Sequence, residues 1–118
     1  MRQAASLSVA IPLRRKSVRV NNPLIRKFEL YHAKYPNVYL LFSDLTRQTI
    51  RRGKKVSAQF IIERIRWEII MGAKDEDGFK INANFAAFYA RMFMKDFPGY
   101  AGYFHLRTSV ADEWVITY

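Results

Sequence analysis

The sequence contains no cysteine. Disulfides, thiol nucleophiles and cysteine-held zinc or iron–sulfur centres are therefore excluded. Glycine is sparse, with five residues scattered at turns, so there is no glycine loop of the kind that cradles phosphates. No stretch approaches the ~20 continuous apolar residues of a spanning helix, and no membrane segment is expected. The two histidines, His32 and His105, sit in no metal-binding pattern. No Gly-x-Ser-x-Gly elbow occurs. Acidic residues are also scarce: ten Asp and Glu stand against twenty Lys and Arg, a formal net charge of +10.

What is present suffices for one folded domain. The chain has 118 residues, half of them hydrophobic and 15% aromatic, enough to fill a core. The charge is unevenly placed. Residues 1–20 hold Arg2, Arg14, Arg15, Lys16 and Arg19 and no acid, whereas residues 75–118 carry a small acidic excess. The surplus therefore belongs to the first two-thirds. Such a surplus repels itself and gives no folding advantage, but it attracts polyanions, of which nucleic acid is the commonest. A solvated surface, an acidic protein partner and a membrane face are the alternatives.

Residues 1–20 read first as a flexible basic arm. Their Arg- and Ser-containing, acid-free composition also fits a transit peptide, and Leu7, Val9 and Ile11 alternate as in a strand. A secretory signal is not expected, because Arg14-Arg15-Lys16 follows the short apolar stretch. Residues 21–118 form the remaining, single helical domain.

Four helices are predicted there. Asn22-Pro23 opens the first, with Leu24, Ile25, Phe28 and Tyr31 at helical spacing, and Pro36 ends it near Lys34. Asn37 is expected to cap the second, which buries Val38, Leu41, Phe42 and Leu45 and stops at Gly53. Ser57 caps the third, whose apolar face is Ala58, Ile61, Ile62, Ile65 and Ile69. Asn82 or Asn84 caps the fourth, which crowds Phe85, Phe88, Tyr89, Met92 and Phe93 on one side and ends before Pro98-Gly99. Residues 74–78 read as an acidic turn. Phe79-Lys80-Ile81 and Trp114 to Tyr118 have strand character. The fold class is thus mainly α with a small β component, in a helix-turn-helix or winged-helix-like arrangement.

No enzyme is indicated. Glu63 and Glu68 lie five residues apart and beside Arg64 and Arg66, which is the pattern of a solvated charged helix face. Convergent carboxylates are lacking, and neither a metal nor a cofactor is expected.

Nucleic-acid binding has more support. The second and third predicted helices are joined by a short turn with a basic rim of Arg47, Arg51, Arg52, Lys54 and Lys55. Arg64 and Arg66 extend it along the third helix. The dipole of a helix C-terminus accounts for Arg51 and Arg52 but not for Lys54 and Lys55 beyond it. Lys80, Asn82, Asn84 and Arg91 are candidates for closer contacts, since Asn and Arg suit adenine and guanine edges. The same asparagines also serve as caps, and Arg91 can brace Glu63 or Asp96. Trp67, off the isoleucine stripe, and Tyr100 and Tyr103, after Pro98-Gly99, are candidates for a partner surface.

The strings Ile62-Glu63-Arg64-Ile65-Arg66-Trp67-Glu68, Phe79-Lys80-Ile81-Asn82-Ala83-Asn84 and Tyr89-Ala90-Arg91-Met92-Phe93-Met94 resemble a family of small uncharacterised proteins of bacteria and their phages. The resemblance runs roughly from Phe28 to Arg107. It implies a bacterial host cytoplasm or nucleoid as the setting and no particular activity. The expectation is a non-catalytic nucleic-acid-binding protein, duplex DNA favoured over other polymers. The alternative is a phage-encoded protein that binds and modulates a host protein. A third option is an assembly component whose basic arm touches packaged nucleic acid. A homodimer is open as well, because a lone recognition element rarely gives strong specificity.

Overall fold

A computed structural model describes residues 22–72 and 81–118. The arm of residues 1–20, the acidic turn of residues 74–78, Phe79 and Lys80 lie outside the described residues, as does the side chain of Ile69. The described chain is mainly helical, with five α-helices: α1 (Pro23–Lys34), α2 (Pro36–Arg51), α3 (Ala58–Gly72), α4 (Phe85–Asp96) and α5 (Val110–Thr117), and a single 3-10 turn at Pro98–Tyr100. No strand occurs among the described residues.

The first helix starts as its sequence dictates. The Asn22 side-chain oxygen accepts the Leu24 and Ile25 amides at 2.9 and 3.3 Å, and Pro23 occupies the first turn, where a missing N–H costs nothing. Ile25 and Phe28 form its buried edge. The second helix starts two residues earlier than expected. Pro36 is its first residue and Tyr35 stands at the cap position, so Asn37 is not the cap. Proline both ends α1 and nucleates α2, because its fixed φ suits a first helical position.

The buried line of α2 is Val38, Phe42 and Thr46, at i, i+4 and i+8. Leu41, expected in the core, is 41% exposed instead. Thr46 takes its turn inward, and its hydroxyl donates to the Phe42 carbonyl at 2.8 Å, so the buried polar atom is satisfied. Ser57 caps α3 by accepting the Phe60 amide at 3.0 Å. Ala58, Ile61, Ile62 and Ile65 are buried as the periodicity predicts.

The fourth helix is the centre of the fold. It packs against α2, α3, α5 and the 3-10 turn. Phe85, Ala86, Phe88, Tyr89, Ala90, Arg91, Met92 and Phe93 are all buried, so this helix is covered around most of its girth. Its start is an Asn82 turn: the Asn82 side chain accepts the Asn84 amide at 2.9 Å, and its carbonyl accepts the Phe85 amide at 2.9 Å. Asn84 stands at the cap position without a side-chain capping bond.

Phe28 from α1 is the hub of an aromatic cluster. Its ring stacks on Phe88 at 4.5 Å and meets Phe85, Tyr89 and Trp114 edge-on at 5.4, 5.1 and 5.0 Å. Each such ring contributes roughly 1.5–3 kcal/mol through burial, with about 0.5–1.5 kcal/mol more per well-oriented pair.

The tail corrects the sequence expectation most clearly. Val110–Thr117 is a helix, not a strand. Ser109 and Asp112 form a capping box: Ser109 Oγ accepts the Ala111 amide and Asp112 Oδ2 accepts the Ser109 amide, both at 2.9 Å. Ala111 and Trp114 then fall on one buried edge. The cap and this docking outweigh the β-branched preference of Val115, Ile116 and Thr117.

Candidate nucleic-acid interface

The basic turn between α2 and α3 has a defined backbone. Gly53 follows the last turn of α2 with φ of 70°, a left-handed conformation that suits glycine. Its amide donates to the Ile50 carbonyl at 2.9 Å, and the Lys54 amide donates to the Thr49 carbonyl at 3.0 Å. This pair of bonds is a Schellman motif, and it closes the free carbonyls at the helix end. Arg51, Arg52, Lys54 and Lys55 radiate from this turn. All four are exposed and none makes an ion pair among the described residues. Arg51 and Arg52 also lie where the helix dipole favours positive charge.

Tyr103 holds the turn from across the molecule. Its hydroxyl accepts the Val56 amide at 3.1 Å, donates to the Lys54 carbonyl at 3.0 Å, and lies 3.2 Å from Thr49 Oγ1. The Lys55 ammonium sits 5.9 Å from the centre of its ring. Tyr103 is therefore half-buried and positions the basic loop; it is not a free partner surface. Tyr100 is exposed on one side and stacks on Phe93 at 6.1 Å. Trp67 is 59% exposed, as its place off the isoleucine stripe predicts.

The other basic candidates divide by partner. Arg47 is half-buried, with its guanidinium 5.2 Å from the Phe97 ring centre. Arg64 is exposed and pairs with Glu68 at 2.8 Å, an i, i+4 contact worth little in solvent. Arg66 pairs with Glu63 at 2.9 Å and donates to the Ile81 carbonyl, tying α3 to the start of the α4 segment. Asn82 and Asn84 belong to the turn that starts α4.

Arg91 leaves the surface set altogether. It is 6% exposed, and its guanidinium donates to Asp112 at 2.6 Å, Ala87 O at 2.9 Å and Arg107 O at 2.7 Å. Its ion partner is Asp112, neither Glu63 nor Asp96. That hydrogen bond, with the Ser109 amide, holds the Asp112 carboxyl below its usual range. The residue braces α4 against the cap of α5.

A residue missed in the sequence stands beside the turn. Phe60, in the first turn of α3, is 59% exposed. It lines a cleft between α2 and α3 of about 230 Å³, together with Gln48, Thr49, Arg52 and Arg64. The signal was available: Phe60 falls off the Ala58–Ile61–Ile62–Ile65 stripe just as Trp67 does. A wider depression of about 600 Å³ lies where the starts of α3, α4 and α5 meet, with Ser57, Asn84, His105 and Arg107 on its walls.

Among the described residues, no group of three His, Asp or Glu side chains could hold a metal ion. None of the described helices is long and apolar enough to cross a membrane. No protein-family model, curated protein or solved structure matches the chain.

Proposed function

We propose that this protein binds nucleic acid without catalysing a reaction, by holding backbone phosphates at the α2–α3 turn. The observation that carries the reading is the set of four exposed basic side chains, Arg51, Arg52, Lys54 and Lys55, on one hydrogen-bonded turn, none of them ion-paired among the described residues. Cations held at a defined spacing release counterions when they meet a polyphosphate, and that release is the main source of sequence-independent affinity. Duplex DNA is the polymer proposed first, with the basic arm of residues 1–20 adding further phosphate contacts. The bacterial or phage setting implied by the resemblance belongs to the same proposal.

In its finer form, α2 and α3 act as a helix-turn-helix unit with α3 outward. Glu63 and Glu68 are exposed on α3, but each pairs with an arginine of the same helix, which offsets their repulsion of phosphates, so the turn bears most of the contact. The test is anisotropy of labelled random duplex DNA against salt. The four phosphate contacts of the turn contribute about −3 to −4 to the slope of log affinity against log salt, and contacts from the arm steepen it. Lys54→Glu with Lys55→Glu lowers that slope in magnitude and weakens binding at low salt. Absence of binding by the unaltered protein at low salt rejects the reading.

A protein partner is the second reading, and the exposed Trp67 favours it, because Trp is enriched where protein interfaces carry most energy. A complex with a host protein that survives nuclease treatment would support it over the first.

A further inference from the structure

The α2–α3 cleft differs from the basic turn beside it. Its floor includes Leu45 and Ile61, its rim carries Arg52 and Arg64, and Phe60 stands exposed at its side. An aromatic ring left 59% exposed in a cleft that two arginines also line gains nothing for the fold from its exposed face. Arg52 has no ion partner among the described residues. Arg64 has only the exposed Glu68 among the described residues, and a solvent-exposed pair of that kind exchanges at little cost. The cleft, about 230 Å³, falls below the ~300 Å³ at which pockets begin to enclose a drug-sized molecule, so it suits one flat group rather than a whole ligand.

We propose that this cleft takes one unpaired nucleobase, stacked on Phe60, with Arg52 and Arg64 on the phosphates that flank it. The inference rests on the nucleic-acid reading and narrows it. A duplex can supply phosphates to the turn, but its bases are stacked and paired inside the helix, so only a single-stranded segment, a frayed end or a flipped base can enter. Charge complementarity selects the occupant. The walls offer two cations and an aromatic face, and a nucleotide strand joins anions to flat π surfaces at every step, which acidic peptides do not. Trp67 continues the line. It lies seven residues beyond Phe60 on the same side of α3, about 10 Å along the axis, and is equally exposed, so it offers a second stacking surface to the same strand.

The experiment compares a short labelled oligothymidylate with a duplex of the same length, at low salt, on four proteins. These are the unaltered chain, Phe60→Ala, Phe60→Trp, and Lys54→Glu with Lys55→Glu. Circular dichroism checks that each is folded; Phe60 is exposed, so its removal leaves the core intact. Phe60→Ala is expected to weaken oligothymidylate binding roughly tenfold or more and leave duplex binding unchanged. Phe60→Trp is expected to restore it. The charge-reversal variant should weaken both polymers.

If Phe60→Ala lowers neither affinity, or lowers both equally, while charge reversal lowers both, the cleft assignment fails and the nucleic-acid reading stands. If the unaltered chain binds neither polymer, the broader reading fails first. Polyglutamate of equal charge that competes as well as oligothymidylate also overturns the base assignment, because it marks the cleft as a site for acidic chains.

Discussion

The Tyr103 hydroxyl donates to the carbonyl of Lys54, 49 positions earlier in the chain, at 3.0 Å. The same oxygen accepts the Val56 amide at 3.1 Å. One phenol thus satisfies the backbone on both sides of Lys55 and fixes the loop from which the basic side chains emerge. Proximity in sequence would never have paired these residues.

Tyr103→Phe keeps the ring and removes the pin. It leaves the Val56 amide and the Lys54 carbonyl to find water, at a cost of about 1–2 kcal/mol. Urea denaturation should show the lower midpoint with an unchanged slope. On the proposed function, DNA affinity at low salt falls too, because the four cations lose their common frame. Full stability together with full affinity would show that the hydroxyl does not organise the turn.

Arg91 is the next test, as a brace. Arg91→Met fills much of the same volume but loses three hydrogen bonds, to Asp112, Ala87 and Arg107. A loss of about 2–3 kcal/mol is expected. Arg91→Lys should recover only part of it, because an ammonium cannot reproduce the guanidinium fork. Thermal unfolding of both variants checks the order.

Acid should destabilise the protein in two steps. His32 stacks on Phe28 at 5.7 Å, and burial lowers its pKa from 6.5. Between the folded value and 6.5 the unfolded chain binds more protons, so stability falls as pH drops below 6.5 and levels off once folded His32 is also protonated. Asp112, held below its ordinary 3.8 chiefly by Arg91, adds a further loss as pH falls through that range toward its folded value. Stability measured from pH 7.5 to pH 5 should flatten in His32→Phe. An unaltered slope would mean that another group titrates.

Ser109→Ala tests why the tail is helical. It removes the hydroxyl that caps Ala111 and should cost about 1 kcal/mol. Far-UV circular dichroism of the folded protein should stay helical, because Ala111 and Trp114 remain docked and Trp114 Nε1 still donates to Glu29 at 3.1 Å. A shift toward strand signal would show that the cap alone decides this segment.

Much of the fold was legible in local pattern. Asn22-Pro23, Ser57 and Gly53 mark helix ends by chemistry that acts within a few residues, and each behaves as that chemistry requires. The isoleucine stripe of α3 was readable because burial follows the helical period. Leu41 was misread, since its neighbour Phe42 takes the inward position and Thr46 completes the line. The tail was misread because propensity spoke for Val115 to Tyr118, while the Ser109–Asp112 cap lay upstream and the docking of Ala111 and Trp114 depends on the packed helices.

By itself the sequence determined that the chain is rich in helix, that its basic surplus lies in the first two-thirds, and that a glycine turn carries Lys54 and Lys55 past a helix end. These are properties of composition and of spacings shorter than a few turns. Only the tertiary structure decided which basic groups remain available. Arg91 is drawn inward by Asp112, 21 positions away, and Arg66 is tied to Ile81, while Arg51, Arg52, Lys54 and Lys55 stay in solvent. It also decided that Tyr103 pins the turn and that Phe60 stands open beside Arg52. A charged side chain is available only if nothing distant in the chain desolvates or pairs it, and that condition exists only once the helices have packed.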